Sequence, residues 1–146
     1  MSDDLTTATA TKSVKIAGGM LVLSGGFGVL NVVQVFYTVV FFRDWPQVIP
    51  ARMAVASVAV LVFGVGFSRA RSWAPWPAVG TSTLLWLAGS AWFVFAIVSG
   101  FVTLYGFIVP IVSFVSTICV LFNRSSCAQT AQARARLSLE GIDLGV

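Results

Sequence analysis

The stretch IAGGMLVLSGGFGVLNVVQVFYTVVFF, residues 16–42, has no charged side chain in 27 positions. As an α-helix it would be about 40 Å long, which exceeds the ~30 Å thickness of a bilayer's hydrocarbon core. It is also too long for the apolar core of a signal peptide. The stretch therefore predicts a retained transmembrane helix that tilts or projects beyond the bilayer at one end.

Three further apolar stretches follow, separated by polar or proline-containing segments. The short Ser99-Gly100 connection makes the last two stretches a hairpin. The sequence thus predicts an all-α integral membrane protein, with four transmembrane helices in a compact antiparallel bundle. The predicted parts are an amino tail at 1–15, a four-span domain at 16–122 with spans at 16–42, 51–67, 79–98 and 103–122, and a carboxyl tail at 123–146.

Composition excludes several kinds of chemistry. The chain is 58% hydrophobic and only 10% charged, and it has no histidine, whereas charged residues make up roughly a quarter of a soluble domain. Its five acidic residues lie outside the centres of the spans. Small four-span drug exporters are similar in length, but they depend on a glutamate in the first span, which is missing here. We therefore predict no catalytic residues, no metal site and no cofactor.

The basic residues predict an orientation. Seven of the nine lysines and arginines lie in the amino tail, the second loop and the carboxyl tail, and the other two lie in or beside the first loop. The positive-inside rule then places both termini in the cytoplasm, with the bundle in the plasma (bacterial inner) membrane. No basic stripe interleaved with aromatic residues indicates nucleic-acid binding. The expected partners are membrane lipid and other membrane subunits, or further copies of the chain as a homo-oligomer.

Small residues recur at helical spacing in each span. Such residues allow transmembrane helices to approach closely, although these helices are rich in small residues in general. Pro110 is also expected to kink the fourth span. The predicted packing residues are Ser24, Gly28, Ser57, Gly64, Gly89, Pro110 and Ser113.

Asn31, Gln34 and Thr38 form a polar face within the first span. An amide without a hydrogen-bonding partner is costly in hydrocarbon, so these side chains should face protein or water. The favoured interpretation is a hydrogen bond between helices. The alternative is a polar lining for a solute.

The first loop and the start of the second span hold Arg43, Asp44, Trp45 and Arg52. Two guanidinium groups beside an aromatic ring could bind an anionic lipid head group or the carboxylate of a partner. The same residues are equally typical of ordinary anchors at the membrane surface.

The carboxyl tail could contain a short helix. Ser126 is a suitable N-cap for a helix over residues 127–139, and Gly141 is a suitable stop. A partly helical tail with a frayed end is expected.

Three functions remain open at this point. The favoured one is a non-catalytic accessory or scaffold subunit of a larger membrane complex, because the spans are suited to packing and poor in chemistry. One alternative is a small oligomeric channel or solute carrier with its polar path along the first span. The other is a protein that binds a lipid or its head group at the outer surface.

Overall fold

The computed structural model describes residues 12–41, 48–98, 100 and 104–140, and the side chains among them except 38–41 and 48–50. Each helix is long and apolar enough to cross a membrane, and the helices pack together. The predicted set of four apolar helices is therefore confirmed. The helices are α1 (Lys12–Phe41), α2 (Val48–Ser68), α3 (Pro75–Val98) and α4 (Leu104–Leu139).

The helices form a ring in which α1 packs on α2 and α4, and α3 packs on the same two helices. Between α1 and α4, Ser24 contacts Ser113 and the carbonyl of Met20 contacts Ser116. Residue numbers rise along α1 as they fall along α4. These two neighbouring helices therefore run in opposite directions.

Glycines bring α1 and α2 into backbone contact. A Cβ atom at Gly18 would lie 2.7 Å from Cα of Ser68, and one at Gly25 would lie 2.9 Å from the backbone nitrogen of Leu61. Only a hydrogen atom fits at such positions, so the two backbones approach more closely than other residues would allow. The order of these contacts shows that α1 and α2 also run in opposite directions.

The end of α2 is a Schellman turn. Arg71 N–H donates to the carbonyl of Gly66 at 3.0 Å, and Ala70 N–H donates to that of Phe67 at 2.9 Å. Ala70 has a positive φ of 49°, at the position where glycine is usual. Its methyl group is buried, with 2% of its surface exposed, and this packing offsets some of the backbone strain.

The prolines of the second loop lie partly inside α3, which begins at Pro75 and includes Pro77. The helix therefore begins four residues before the start predicted for this span, at residue 79. The N–H groups in the first turn of a helix have no acceptor within the helix, so a proline there removes no hydrogen bond. These prolines begin the helix instead of interrupting a loop.

The greatest difference from the sequence prediction concerns α4, which continues without a break to Leu139. Its 36 residues correspond to about 54 Å of helix. Ser126 is therefore not an N-cap but an interior residue, and its carbonyl accepts a hydrogen bond from the Thr130 hydroxyl at 2.8 Å. The segment 123–139, which we call the α4 extension, contains no glycine or proline that would end the helix.

The α4 extension packs on the turn between α2 and α3. Cys127 is fully buried, and its Sγ atom lies 3.9 Å from the carbonyl oxygen of Phe67. Further along, the Arg134 guanidinium donates to the carbonyl oxygen of Arg69 at 2.6 Å. Contacts with another part of the bundle thus stabilise a segment whose sequence predicts only a short helix.

Candidate functional site

The structure places all the predicted packing residues in the interior of the bundle. They occur on every helix, and each of them is buried. Where a residue is glycine, the space it leaves is filled by the next helix: a Cβ at Gly89 would lie 3.1 Å from Cγ1 of Val109. The buried set comprises Ser24, Gly28, Ser57, Gly64, Gly89, Pro110 and Ser113.

Buried hydroxyl groups join α1 to α4. Ser24 and Ser113 are both fully buried, and their Oγ atoms lie 2.8 Å apart. One turn along, the Ser116 hydroxyl lies 2.9 Å from the carbonyl oxygen of Met20. Sequence analysis did not single out Ser116, although its position three residues after Ser113 places it on the same helix face.

A second hydroxyl contact joins α4 to α3. The Thr117 hydroxyl lies 3.0 Å from Oγ of Ser82, and it also lies 2.8 Å from the carbonyl oxygen of Ser113. Both side chains are buried. These hydroxyl groups therefore form hydrogen bonds with one another or with backbone carbonyls, and they connect α1, α3 and α4.

The predicted polar face of α1 is only partly described. Asn31 is buried, with 1% of its surface exposed, and Gln34 is half-buried. The side chain of Thr38 lies outside the described residues. Asn31 is seven positions after Ser24, which places both on one face of α1. The structure thus directs the Asn31 amide into the bundle.

Most of the predicted loop cluster, namely Arg43, Asp44 and Trp45, lies outside the described residues. Arg52 is described and exposed. It lines a groove of about 460 Å³ between α2 and α3, which we call the Arg52 groove. The other lining residues include Ala51, Val55, Ala56 and Ala59 of α2 and Leu84 of α3.

A second groove, of about 350 Å³, runs between α3 and α4, and we call it the aromatic groove. Two ring pairs join these helices within it: Trp86 with Phe114, whose centroids are 5.2 Å apart, and Phe93 with Phe107, at 5.4 Å. Sequence analysis did not predict this groove. The lining residues are Trp86, Phe93, Phe107, Pro110, Ile111 and Phe114.

Replacing Ser24 and Ser113 with alanine, singly and together, should show that their hydroxyls interact. We expect a coupling energy on the order of 0.6–2 kcal/mol, as for other hydrogen bonds between transmembrane helices. The measurement is a double-mutant cycle of reversible unfolding in bicelles. Ser125→Ala, on the exposed face of the α4 extension, is the control. Additive effects of Ser24→Ala and Ser113→Ala would contradict the interaction.

The features described above that could receive a ligand are the apolar Arg52 groove, with its guanidinium group, and the aromatic groove. Within the described ranges, no group of three or more His, Cys, Asp or Glu residues is placed to hold a metal ion. No protein-family model matches the chain, and no curated protein and no solved structure is significantly similar to it.

Proposed function

We propose that this protein is a non-catalytic accessory or scaffold subunit of a larger membrane complex. Its bundle crosses the plasma membrane with both termini in the cytoplasm, in accordance with the bias of the basic residues. The observation that carries the proposal is the aromatic groove, an apolar recess between two helices on the outer surface of the bundle.

The bundle interior is used for packing. The hydroxyls of Ser24 and Ser113 contact each other across α1 and α4, and a Cβ atom at Gly28 would collide with the Ser57 hydroxyl across α1 and α2. Close packing and satisfied polar groups make such an interior rigid. A rigid bundle is suited to positioning other subunits.

The aromatic groove is suited to a transmembrane helix of a partner. Lipid tails are as apolar as leucine, so helices in a bilayer associate through close van der Waals packing and not through the hydrophobic effect. A recess gives an inserted side chain more such contacts than a flat surface does. Half-exposed Ile111 and Phe107 line this recess. We therefore place the partner helix against α3 and α4.

Filling the groove with Ile111→Trp should weaken the complex. Overpacking a fitted contact costs about 1–3 kcal/mol, so partner retention should fall about tenfold. The measurement is native mass spectrometry of protein extracted gently from its own membrane. Val62→Trp is the matched control, because Val62 is 55% exposed on α2 and does not line the aromatic groove.

Stoichiometric foreign subunits on the wild-type protein and on Val62→Trp, but not on Ile111→Trp, would support the proposal. A homo-oligomer without foreign subunits would overturn it. In that case the channel or carrier alternative becomes the leading one. Flux assays on Asn31→Leu and Gln34→Leu would then test the polar face of α1.

A further inference from the structure

We propose that the Arg52 groove binds an anionic phospholipid, with the lipid phosphate on the Arg52 guanidinium and one acyl chain between α2 and α3. This site does not depend on the subunit function proposed above. It also gives a defined location to the lipid interaction that the sequence indicated for the first loop and the start of the second span.

The shape of the groove follows from small side chains. Ala51, Ala56 and Ala59 line its α2 side, and the α2–α3 interface is the least extensive of the four between neighbouring helices. The residues from Ala51 to Ala59 extend over about 12 Å of helix. The resulting groove has a volume of about 460 Å³ and is open along one side.

The charge of the groove is positive at one end. Arg52 is exposed, and among the described residues the sole carboxylate side chain is that of Glu140, just after α4. α2 begins at Val48, one turn before Arg52, and a helix amino terminus carries a partial positive charge. A guanidinium group can donate two parallel hydrogen bonds to a phosphate. The groove thus presents an anion-binding group that no described acidic side chain neutralises.

The position of Arg52 along α2 matches the order of head group and acyl chain in a phospholipid. Arg52 lies four residues after the start of α2, about 6 Å along a helix that crosses the membrane. Its long side chain can keep the charge among the head groups while its methylene groups cover apolar surface. From there the groove continues toward Ala59 and Leu84. A charged head group therefore fits at Arg52, and an acyl chain fits along the apolar residues that follow.

The test measures lipid retention on the full-length protein. Native mass spectrometry counts the phosphatidylglycerol or phosphatidylcholine molecules that remain bound when each lipid is supplied at equal concentration. The wild-type protein should retain one phosphatidylglycerol per chain in preference to phosphatidylcholine. Arg52→Gln should bind phosphatidylglycerol about tenfold more weakly, because a charge-assisted hydrogen bond is lost. Arg71→Gln is the matched control, since Arg71 is exposed just beyond the opposite end of α2.

A second variant tests the acyl-chain part of the groove without changing Arg52. Leu84→Trp should fill the groove and also reduce phosphatidylglycerol retention about tenfold. Leu87→Trp should not, because Leu87 is similarly exposed on α3 but does not line the groove. Circular dichroism and elution volume confirm folding, and Val55→Trp, at a 72% exposed lining position, replaces Leu84→Trp if that variant fails to fold.

Either of two results would overturn the proposal. One is an equal loss of phosphatidylglycerol from Arg52→Gln and Arg71→Gln, which would indicate a general attraction of basic charge to anionic lipid. The other is equal retention by the groove-filling variant and Leu87→Trp, which would place the acyl chain elsewhere.

Discussion

Gly25→Ala is expected to lower the free energy of unfolding by about 3 kcal/mol, near the upper end of the cost of overpacking a fitted interface. Its neighbour Gly26 should behave in the opposite way. Gly26→Ala is expected to be neutral or to stabilise the fold by up to about 1 kcal/mol, because alanine has a higher helix propensity than glycine. The two variants add the same methyl group to adjacent positions of one helix.

The difference arises from what each methyl group would meet. A Cβ atom at Gly25 would lie 2.8 Å from the carbonyl oxygen of Ser57 and 2.9 Å from the backbone nitrogen of Leu61. Backbone atoms cannot rotate away as a side chain can, so α1 and α2 must separate. A Cβ atom at Gly26 would have no neighbour within 4 Å.

Reversible unfolding in bicelles gives the free energy of unfolding of Gly25→Ala and of Gly26→Ala. The same comparison can be repeated independently with alanine at Gly18 and at Gly19. A Cβ atom at Gly18 would lie 2.5 Å from Cβ of Ser68, whereas one at Gly19 would meet nothing within 4 Å. Similar effects at Gly25 and Gly26 would show that α1 and α2 are not held in backbone contact at this level.

The buried face of α1 could be predicted from sequence, but its partners could not. Helical spacing places Ser24, Gly28 and Asn31 on one face of α1, and the structure buries all of them. Spacing within one helix contains no information about which neighbour each side contacts. The structure assigns Ser24 to α4 and Gly28 to α2.

The two grooves could not be predicted for a related reason. Each consists of side chains from two helices, and its volume depends on how far apart those helices lie. Trp86 and Phe114, for example, lie on different helices and are 28 positions apart in the sequence, yet their rings form one contact. The groove at Arg52 likewise needs Leu84 of α3 beside Ala59 of α2.

The length of α4 could not be predicted because contacts with another part of the bundle outweigh local signals. Ser126 is a favourable N-cap in isolation, but the segment around it is also compatible with a continuous helix. Packing of Cys127 on the end of α2 selects the continuous form. This packing also suggests where the extension can be released.

Phe67→Ala should release the α4 extension and cost about 3 kcal/mol or more, as truncation of a buried phenylalanine generally does. Phe67 is among the largest fully buried side chains of the bundle, and it belongs to the same buried cluster as Ala70, Ala74 and Cys127. Truncation would leave a cavity between the α2–α3 turn and the extension. The cation–π contact of Arg124 with Trp76, at 5.0 Å, and the Arg134 bond to the turn would remain as the weaker attachments.

Hydrogen exchange of the backbone amides in residues 123–139 measures this release directly. In Phe67→Ala these amides should exchange faster, whereas those in the middle of α4 should remain protected, because the Ser24–Ser113 contact lies far from the cavity. Phe122→Ala is the matched control: Phe122 is 81% exposed, and its loss should change stability by no more than about 0.5 kcal/mol. If Phe67→Ala leaves exchange in the extension unchanged, the extension is held by its polar contacts with the turn and not by packing on α2.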